Sequence, residues 1–243
     1  DIQFIKQNFI DDNKILFYDN MKVSSVACKQ IKREKCKNCN KKLGNKIAFQ
    51  KQNIDYQICG NCNHLNSIYD DTEELANAIY IEEITDYSKN YSEINKKNWL
   101  NRVNKIYLPK AEFLKQHLPN VDSIIDIGAG SGYFIQALHS VGFNEVSGYE
   151  VSKNQVELSE IMLEKKIVKL TKLNDLENIV KKTSSSIVSM IGVLEHLTNP
   201  RDILKCISEN ENIKYLYISV PLFSYSVFFD ILNENYFNSH LSG

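Results

Sequence analysis

The stretch Asp126-Ile127-Gly128-Ala129-Gly130-Ser131-Gly132 decides the fold of this chain. It follows a β-branched apolar run, 121–127, and it precedes a segment with helical spacing of apolar residues, 133–138. This order predicts a buried strand, a tight glycine loop and a helix. Glycine suits the loop because the chain must reach positive φ there and a ligand must approach the backbone closely. Since the first amides of the helix point at the loop, we expect a nucleotide-like ligand.

Strand-like and helix-like segments alternate after this loop. Apolar runs predict four further strands, near 145–150, 167–170, 186–193 and 215–221. Helical spacing lies between some of them, over 153–165 and 201–209. Such alternation predicts a parallel sheet with helices on both faces. Ligands of these sheets bind beyond the carboxyl ends of the strands, where we expect four side chains to converge: Asp126, Glu150, Glu195 and His196.

Four cysteines form two Cys-x-x-Cys pairs, Cys36 with Cys39 and Cys59 with Cys62. Each pair places two thiolates on one tight turn, and two such turns supply the tetrahedral sulfur cage that zinc prefers at about 2.3 Å. Four thiolates leave no open position on the metal, so the pattern predicts structural zinc. The alternative is four free thiols that fall in pairs by chance. His64 is an alternative ligand, although we expect it only to flank the site.

The region before the glycine loop is less informative. Residues 1–35 suggest one or two strands, and segments 46–49 and 54–58 predict two strands of a zinc ribbon. Residues 71–79 predict a helix capped by Asp70 or Asp71. Two further helical stretches, broken at Pro109, are expected over 92–118. The resulting domains are a zinc-binding module over 1–70, a helical linker and lid over 71–120, and a ligand-binding domain over 121–243.

Composition limits the partners. The chain has 29 basic and 30 acidic residues and a net charge of −1, so no global charge attracts nucleic acid or an anionic membrane. It contains no apolar run of about 18 residues. Its first residues lack signal-peptide features, so we expect a cytoplasmic location and no membrane partner. The start at Asp1 and the stop at Gly243 suggest that the natural ends lie elsewhere.

The first cysteine pair lies in a locally basic segment. Its eight basic residues are Lys29, Lys32, Arg33, Lys35, Lys37, Lys41, Lys42 and Lys46. They are interpreted either as an RNA or DNA contact or as a solvated face that offsets the charge of a zinc tetrathiolate. We favour the solvated face, because the segment lacks interleaved aromatic residues for base stacking.

The glycine spacing differs from the dinucleotide fingerprint, because Tyr133 stands where a third glycine belongs. Instead, the chain resembles the class I S-adenosylmethionine-dependent methyltransferases over about residues 110–221. The resemblance rests on the stretch 126–132, on Glu150, and on Val193-Leu194-Glu195-His196-Leu197 with Pro200. It implies a Rossmann-like α/β sheet of seven strands. Only five strands are evident here, so the final strands are apparently missing.

The resemblance also implies a cofactor site for S-adenosylmethionine. Glu150 would hold the cofactor ribose, Gly128 and Gly130 would pass its methionine part, and Asp126 would orient the loop or the cofactor amino group. The full set implied to bind cofactor is Asp126, Gly128, Ala129, Gly130, Glu150, Val151, Ile191 and Gly192.

With a four-cysteine module before it, the domain resembles zinc-containing methyltransferases of sugar and polysaccharide biosynthesis. This implies a small-molecule acceptor such as a sugar nucleotide. His196 or His240 would be the base, with Glu195 orienting it or binding the acceptor. For each histidine the alternative is a capping or merely hydrogen-bonded role. Two other functions stay open: an RNA-directed methyltransferase and a non-catalytic zinc scaffold.

Overall fold

The computed structural model describes residues 9–80, 96–221 and Leu232, with side chains from Phe17 onward. His240 lies outside the described residues. The chain divides into two compact units. Among the described residues, the cysteine unit contains 9–80, 195–201, 220–221 and Leu232, and the sheet unit contains 96–194 and 202–219.

From Phe9 to Tyr80, the cysteine unit has two helices and a small antiparallel sheet. Its elements are α1 (Phe9–Ala27), β1 (Phe49–Lys51), β2 (Ile54–Ile58), β3 (Leu65–Ser67) and α2 (Glu73–Tyr80). The strands pair in the order β1-β2-β3. The prediction of strands within 1–35 is wrong, because α1 covers most of that region. Ala27 at its end packs with Ile54 and Leu75, so tertiary packing selects the helix.

Two predicted boundaries in this unit shift for local reasons. The first strand begins at Phe49 because a hairpin at Gln52 and Asn53, with φ of 49° and 64°, sets the strand register. Helix α2 is capped by Thr72, whose hydroxyl accepts from the Leu75 amide at 3.1 Å. The prediction of Asp70 or Asp71 as the cap is therefore wrong, since both carboxylates pair with Arg33 instead.

Across its described residues the sheet unit has five parallel strands, the number evident from the sequence. They are β4 (Ser123–Ile127), β5 (Glu145–Glu150), β6 (Val168–Leu170), β7 (Ile187–Ile191) and β8 (Tyr215–Ser219), in the order β6-β5-β4-β7-β8. The strand before the glycine loop is thus central. The hydrophobic core of the sheet unit includes Ile124, Phe134 and Ile187, which are at most 2 % exposed.

Along the described part of the sheet unit, two helices precede these strands and four more lead from one strand to the next. They are α3 (Lys96–Arg102), α4 (Leu108–His117), α5 (Tyr133–Ser140), α6 (Lys153–Leu163), α7 (Leu176–Lys182) and α8 (Pro200–Glu209). A π-helical stretch, Val103–Tyr107, joins α3 to α4. The predicted break lies close to Pro109: the π-helical stretch ends at Tyr107, and Pro109 lies in the first turn of α4, where its missing N–H is not needed. Within the described residues, no helix combines the length and apolarity needed to cross a bilayer.

Candidate functional site

The glycine loop between β4 and α5 adopts left-handed backbone at all three glycines. Gly128, Gly130 and Gly132 have φ of 71°, 53° and 80°. A Cβ added at Gly128 would lie 2.3 Å from Cγ2 of Val193, so packing there demands glycine. At Gly130 the nearest atom to an added Cβ is Gln155 Oε1 at 3.9 Å. The backbone at Gly130 is therefore open to a ligand.

The carboxylate of Glu150 faces this open backbone. Its Oε2 accepts from the Gly130 amide at 2.8 Å, and its Oε1 accepts from the amides of Val151 and Ser152 at 2.8 and 2.9 Å. Three backbone donors thus fix the direction of the carboxylate. Because two carboxylate oxygens offer about four acceptor sites, Glu150 keeps capacity for a ligand hydroxyl. The structure brings Gly130, Glu150 and Val151 together, as the sequence predicts.

Asp126 lies under the loop and faces the interior of the sheet. The residue is 3 % exposed, and its Oδ1 accepts from the Ser189 hydroxyl at 2.6 Å. Burial raises the pKa of Asp126 to about 7; the Ser189 hydrogen bond opposes this rise and the charge of Glu150 adds to it. Ser189 was not predicted. The sequence feature that could have identified it is a single hydroxyl residue within the otherwise apolar buried strand β7.

Ala129, in the glycine loop, is 7 % exposed, and its amide donates to the Tyr149 carbonyl at 3.1 Å. The end of β7 holds the last two predicted cofactor residues. Met190 is in register with Ile127, so Ile191 ends the strand beside the one that leads into the loop, and Gly192 follows it. Gly192 is exposed, has φ of 66°, and donates to the Ser219 carbonyl at 2.7 Å.

A buried aromatic cluster supports the loop from α3 and the π-helical stretch. Trp99 is 0 % exposed, and its indole Nε1 donates to the Ser131 carbonyl at 3.2 Å. Its ring stacks on Tyr133 with centroids 5.5 Å apart, and Tyr133 stacks on Tyr107 at 5.3 Å. The guanidinium of Arg102 lies 5.3 Å from the Tyr133 ring centroid. Sequence reasoning missed this cluster, because aromatic spacing in a helix gives no sign of the loop it contacts.

The two described candidates for acceptor chemistry lie in a 3₁₀ turn, Leu194–His196, directly after β7. Glu195 and His196 are half-buried and belong to the cysteine unit. Burial raises the pKa of Glu195, while a hydrogen bond from its own backbone and the charge of Lys37 oppose that rise. Among the described residues, no donor reaches the buried Oε2 of Glu195.

The four predicted metal ligands come together in the cysteine unit. All four Sγ atoms lie within 4.8 Å of one another, and the Sγ atoms of Cys36 and Cys62, like those of Cys39 and Cys59, are 3.6 Å apart. A tetrahedral zinc site with bonds of about 2.3 Å places its sulfurs about 3.8 Å apart. The cluster therefore fits zinc, and four sulfurs would complete its coordination.

The two cysteine turns repeat one backbone design. The Cys36 amide donates to the Lys41 carbonyl at 2.8 Å, and the Cys59 amide donates to the His64 carbonyl at 2.9 Å. Asn40 and Asn63, which directly follow the two pairs, have φ of 60° and 59°, a conformation that asparagine tolerates well. His64 contributes its backbone carbonyl to the second turn, and its imidazole ring is not part of the four-thiol group.

Two of the four thiols have pKa values shifted in opposite directions. A hydrogen bond from the Lys41 backbone lowers the pKa of Cys39 to about 6. A backbone hydrogen bond at His64 also lowers the pKa of Cys62, but burial and the neighbouring thiols raise it to about 11. Full deprotonation of thiols this close needs a bound cation, which again fits a metal centre.

The basic segment is only partly a solvated face. Arg33 and Lys37 have side chains 5 % and 6 % exposed, and both pair with Asp71, at 2.8 and 2.6 Å. The prediction of a solvated face is therefore wrong for these two residues, because the acidic residues before α2 bury them. The remaining six lysines are exposed: Lys29, Lys32, Lys35, Lys41, Lys42 and Lys46.

Most of the sheet unit matches a known protein family. A family model described as "Methyltransferase domain" matches residues 99–236. No curated protein sequence matches this chain.

Solved structures show weak likeness. The methyltransferase domain of bacterial CtHen1 is 21 % identical, with 54 % of this chain and 74 % of that one covered and a TM-score of 0.45. The N-terminal domain of EvdMO1 with SAH bound is 17 % identical, with 47 % and 49 % covered and a TM-score of 0.40. CalS10, an amino pentose methyltransferase from Micromonospora echinaspora, is 14 % identical, with 57 % of each chain covered and a TM-score of 0.41. Likenesses this weak carry no argument about the acceptor.

The family model covers more than half of the chain, including the whole glycine loop and every strand of the parallel sheet. This chain therefore belongs to the methyltransferase domain family, and it is an S-adenosylmethionine-dependent methyltransferase with an α/β fold.

Proposed function

We propose that this protein transfers a methyl group from S-adenosylmethionine to a small-molecule acceptor, a sugar nucleotide or another phosphorylated metabolite of surface polysaccharide biosynthesis. The observation that carries the cofactor site is the Glu150 carboxylate, held 2.8 Å from the Gly130 amide beside backbone that is open to a ligand. The acceptor class is proposed from the arrangement of a four-cysteine module before a methyltransferase domain. A cytoplasmic location, where thiols stay reduced, is part of the proposal.

Each predicted cofactor residue is assigned a role according to its position in the fold. The cofactor, when bound, supplies an electrophilic methyl group. Glu150 would accept a hydrogen bond from the ribose, and the open backbone at Gly130, with Gly128 beside it, would admit the methionine part because no Cβ intervenes at Gly130. Asp126, buried beneath them, orients the loop. Ala129, Val151, Ile191 and Gly192 complete the cofactor site.

The acceptor must lose a proton if its reacting atom is a hydroxyl or an acidic carbon. We assign this step to His196 or His240, because imidazole accepts a proton near neutral pH. Glu195, whose pKa burial raises, orients the base or binds the acceptor. In-line methyl transfer depends mainly on alignment, so both groups act chiefly by holding the acceptor in place.

An RNA acceptor is the second candidate, favoured by the six exposed lysines of the basic segment. The buried pairs of Arg33 and Lys37 with Asp71 weigh against it, since these charges are already neutralised. A steep loss of RNA affinity with added salt would favour RNA, and no RNA binding at low salt would exclude it. A non-catalytic zinc scaffold is the third candidate, and turnover of any acceptor excludes it.

Calorimetric titration tests the cofactor site. We expect S-adenosylmethionine and its homocysteine product to bind with dissociation constants on the order of micromolar. Glu150→Gln should weaken both about tenfold or more, because it removes a charged acceptor. Glu145→Gln, at the exposed opposite end of β5, is the matched control and should bind normally. Binding of NAD but of neither cofactor form would refute the proposal.

Mass spectrometry tests the acceptor. The zinc-loaded protein is incubated with S-adenosylmethionine and separate pools of sugar nucleotides, other phosphorylated metabolites and RNA. We expect one methyl group to appear on a member of the first two pools. Methylation confined to RNA would overturn the small-molecule acceptor while leaving the cofactor site intact.

A further inference from the structure

The first cysteine turn contacts both ends of the segment that follows β7. This segment, residues 195–201, belongs to the cysteine unit. Lys37 Nζ donates to the Glu195 carbonyl at 2.7 Å, and Arg201 Nε donates to the Asn38 carbonyl. Lys37 and Asn38 are the two middle residues of the first Cys-x-x-Cys pair. Two hydrogen bonds, one from Lys37 and one from Arg201, thus join the first cysteine turn to the segment; we call them the two anchors.

The Lys37 anchor is a buried one. Its side chain is 6 % exposed, and its ammonium also pairs with Asp71 Oδ2 at 2.6 Å. Burying an ammonium is costly unless it is paired and hydrogen-bonded, so Lys37 is committed to the contacts it makes. The contact with the Glu195 carbonyl therefore fixes the segment more firmly than an exposed lysine would.

The position of Lys37 depends in turn on the thiol cluster. Its amide donates to Asn66 Oδ1 at 2.9 Å. The amide group of Asn66, a residue 2 % exposed, contacts the His64 carbonyl at 2.9 Å and Cys36 Sγ at 3.6 Å. Asn66 thereby links the first cysteine turn to the second. The backbone at Lys37 keeps its place when the two turns stay together.

We propose that a metal bound by the four cysteines positions segment 195–201 through Lys37 and Asn38, which makes Lys37 a positioning residue for Glu195 and His196. Four thiolates without a cation repel one another, and separation of the two turns removes both anchors at once. The metal is then required for more than the folding of its own module. The proposal rests on the proposed function only in giving Glu195 and His196 a catalytic use.

Substitution of Lys37 can be made without disrupting the surrounding charges. In Lys37→Met, Asp71 keeps its pair with Arg33 Nη2 at 2.8 Å, so no buried carboxylate is left alone. Methionine also fills the space of the lysine stem. The matched control is Lys41→Met, since Lys41 is exposed and follows the same cysteine pair.

Amide hydrogen exchange of the zinc-loaded full chain is the test. In Lys37→Met we expect peptides that cover 195–201 to exchange about tenfold faster or more, the effect of losing one charge-assisted hydrogen bond. Peptides that cover β2 should be unchanged, and zinc should stay at one per chain. Lys41→Met should match the wild type. Equal protection of 195–201 in both variants would overturn the proposal.

If Lys37→Met loses zinc, a second variant tests whether the contact with the first cysteine turn positions segment 195–201. Arg201→Met removes the contact with the Asn38 carbonyl from the segment's side and leaves the cysteine turns intact. Faster exchange over 195–201 in this variant, but not in Lys205→Met, supports the proposal; equal exchange in the two overturns it. Lys205 is exposed and lies in the same helix, α8.

Metal removal gives an independent measurement. Chelation should raise exchange over 195–201 together with exchange at the cysteine turns, and a segment that stays protected while the turns exchange would contradict the proposal. These measurements contain no cofactor and no acceptor. Failure of the protein to bind S-adenosylmethionine would therefore refute the proposed function and leave the positioning role of Lys37 standing.

Discussion

The Ser189 hydroxyl lies 2.6 Å from Asp126 Oδ1 and 3.3 Å from the Ile125 carbonyl, and both of these groups are acceptors when Asp126 is ionised. A hydroxyl has one proton and can serve only one of them fully. The shorter distance makes Asp126 Oδ1 the main acceptor of that proton. This hydrogen bond lowers the pKa of Asp126, but burial and the charge of Glu150 outweigh it and raise the pKa to about 7.

Asp126 should therefore make stability depend on pH. Its folded-state pKa, about 7, lies above the ordinary value of 3.8, so the folded state binds the proton more tightly. The stabilisation is full below the ordinary pKa and is lost as pH rises through the folded pKa. In thermal unfolding at a series of pH values, wild type should lose stability relative to Asp126→Asn between about pH 4 and 7. A constant difference across that range would contradict the raised pKa.

Gly128 and Gly130 should respond differently to alanine. Both need positive φ, which costs alanine about 1–2 kcal/mol. Only at Gly128 does the added Cβ collide, 2.3 Å from Cγ2 of Val193. Gly128→Ala should therefore lower the unfolding temperature more than Gly130→Ala does. The double variant Gly128→Ala with Val193→Ala should recover part of the loss, and no recovery would argue against the collision.

Trp99 should stabilise the loop through its indole N–H. Trp99→Phe keeps an aromatic ring against Tyr133 but leaves the Ser131 carbonyl without its donor, at a cost of about 1–3 kcal/mol. Urea unfolding checks the free energy. Tyr215→Phe, which alters a partly exposed ring on β8, is the control and should change it by less than about 0.5 kcal/mol.

Metal content should distinguish the four clustered cysteines from the other two. We expect one zinc per chain and its loss in Cys59→Ser, because a hydroxyl is a poor replacement for a thiolate ligand. Cys28→Ser and Cys206→Ser should retain the metal, since neither thiol belongs to the four-cysteine group. Elemental analysis after dialysis measures the content. Full zinc in Cys59→Ser would refute the four-thiolate site.

The sequence predicted those features that local patterns determine. Cysteine spacing predicted the group of thiols that the structure brings together, and the order of strand, glycine loop and helix predicted the parallel sheet. Helix α1 and the aromatic contact of Trp99 with Ser131 were missed, because both depend on partners distant in sequence. The Thr72 cap was missed because nearby Asp71 has a competing use, its pairs with Arg33 and Lys37.

Trp99 is the single tryptophan of the chain, and it lies buried in the sheet unit. Indole fluorescence therefore reports on that unit alone, while metal release into a chromogenic chelator reports on the cysteine unit. The two halves can be followed separately in one sample, with no label attached. Their melting order then shows whether the protein unfolds in one cooperative step or in two.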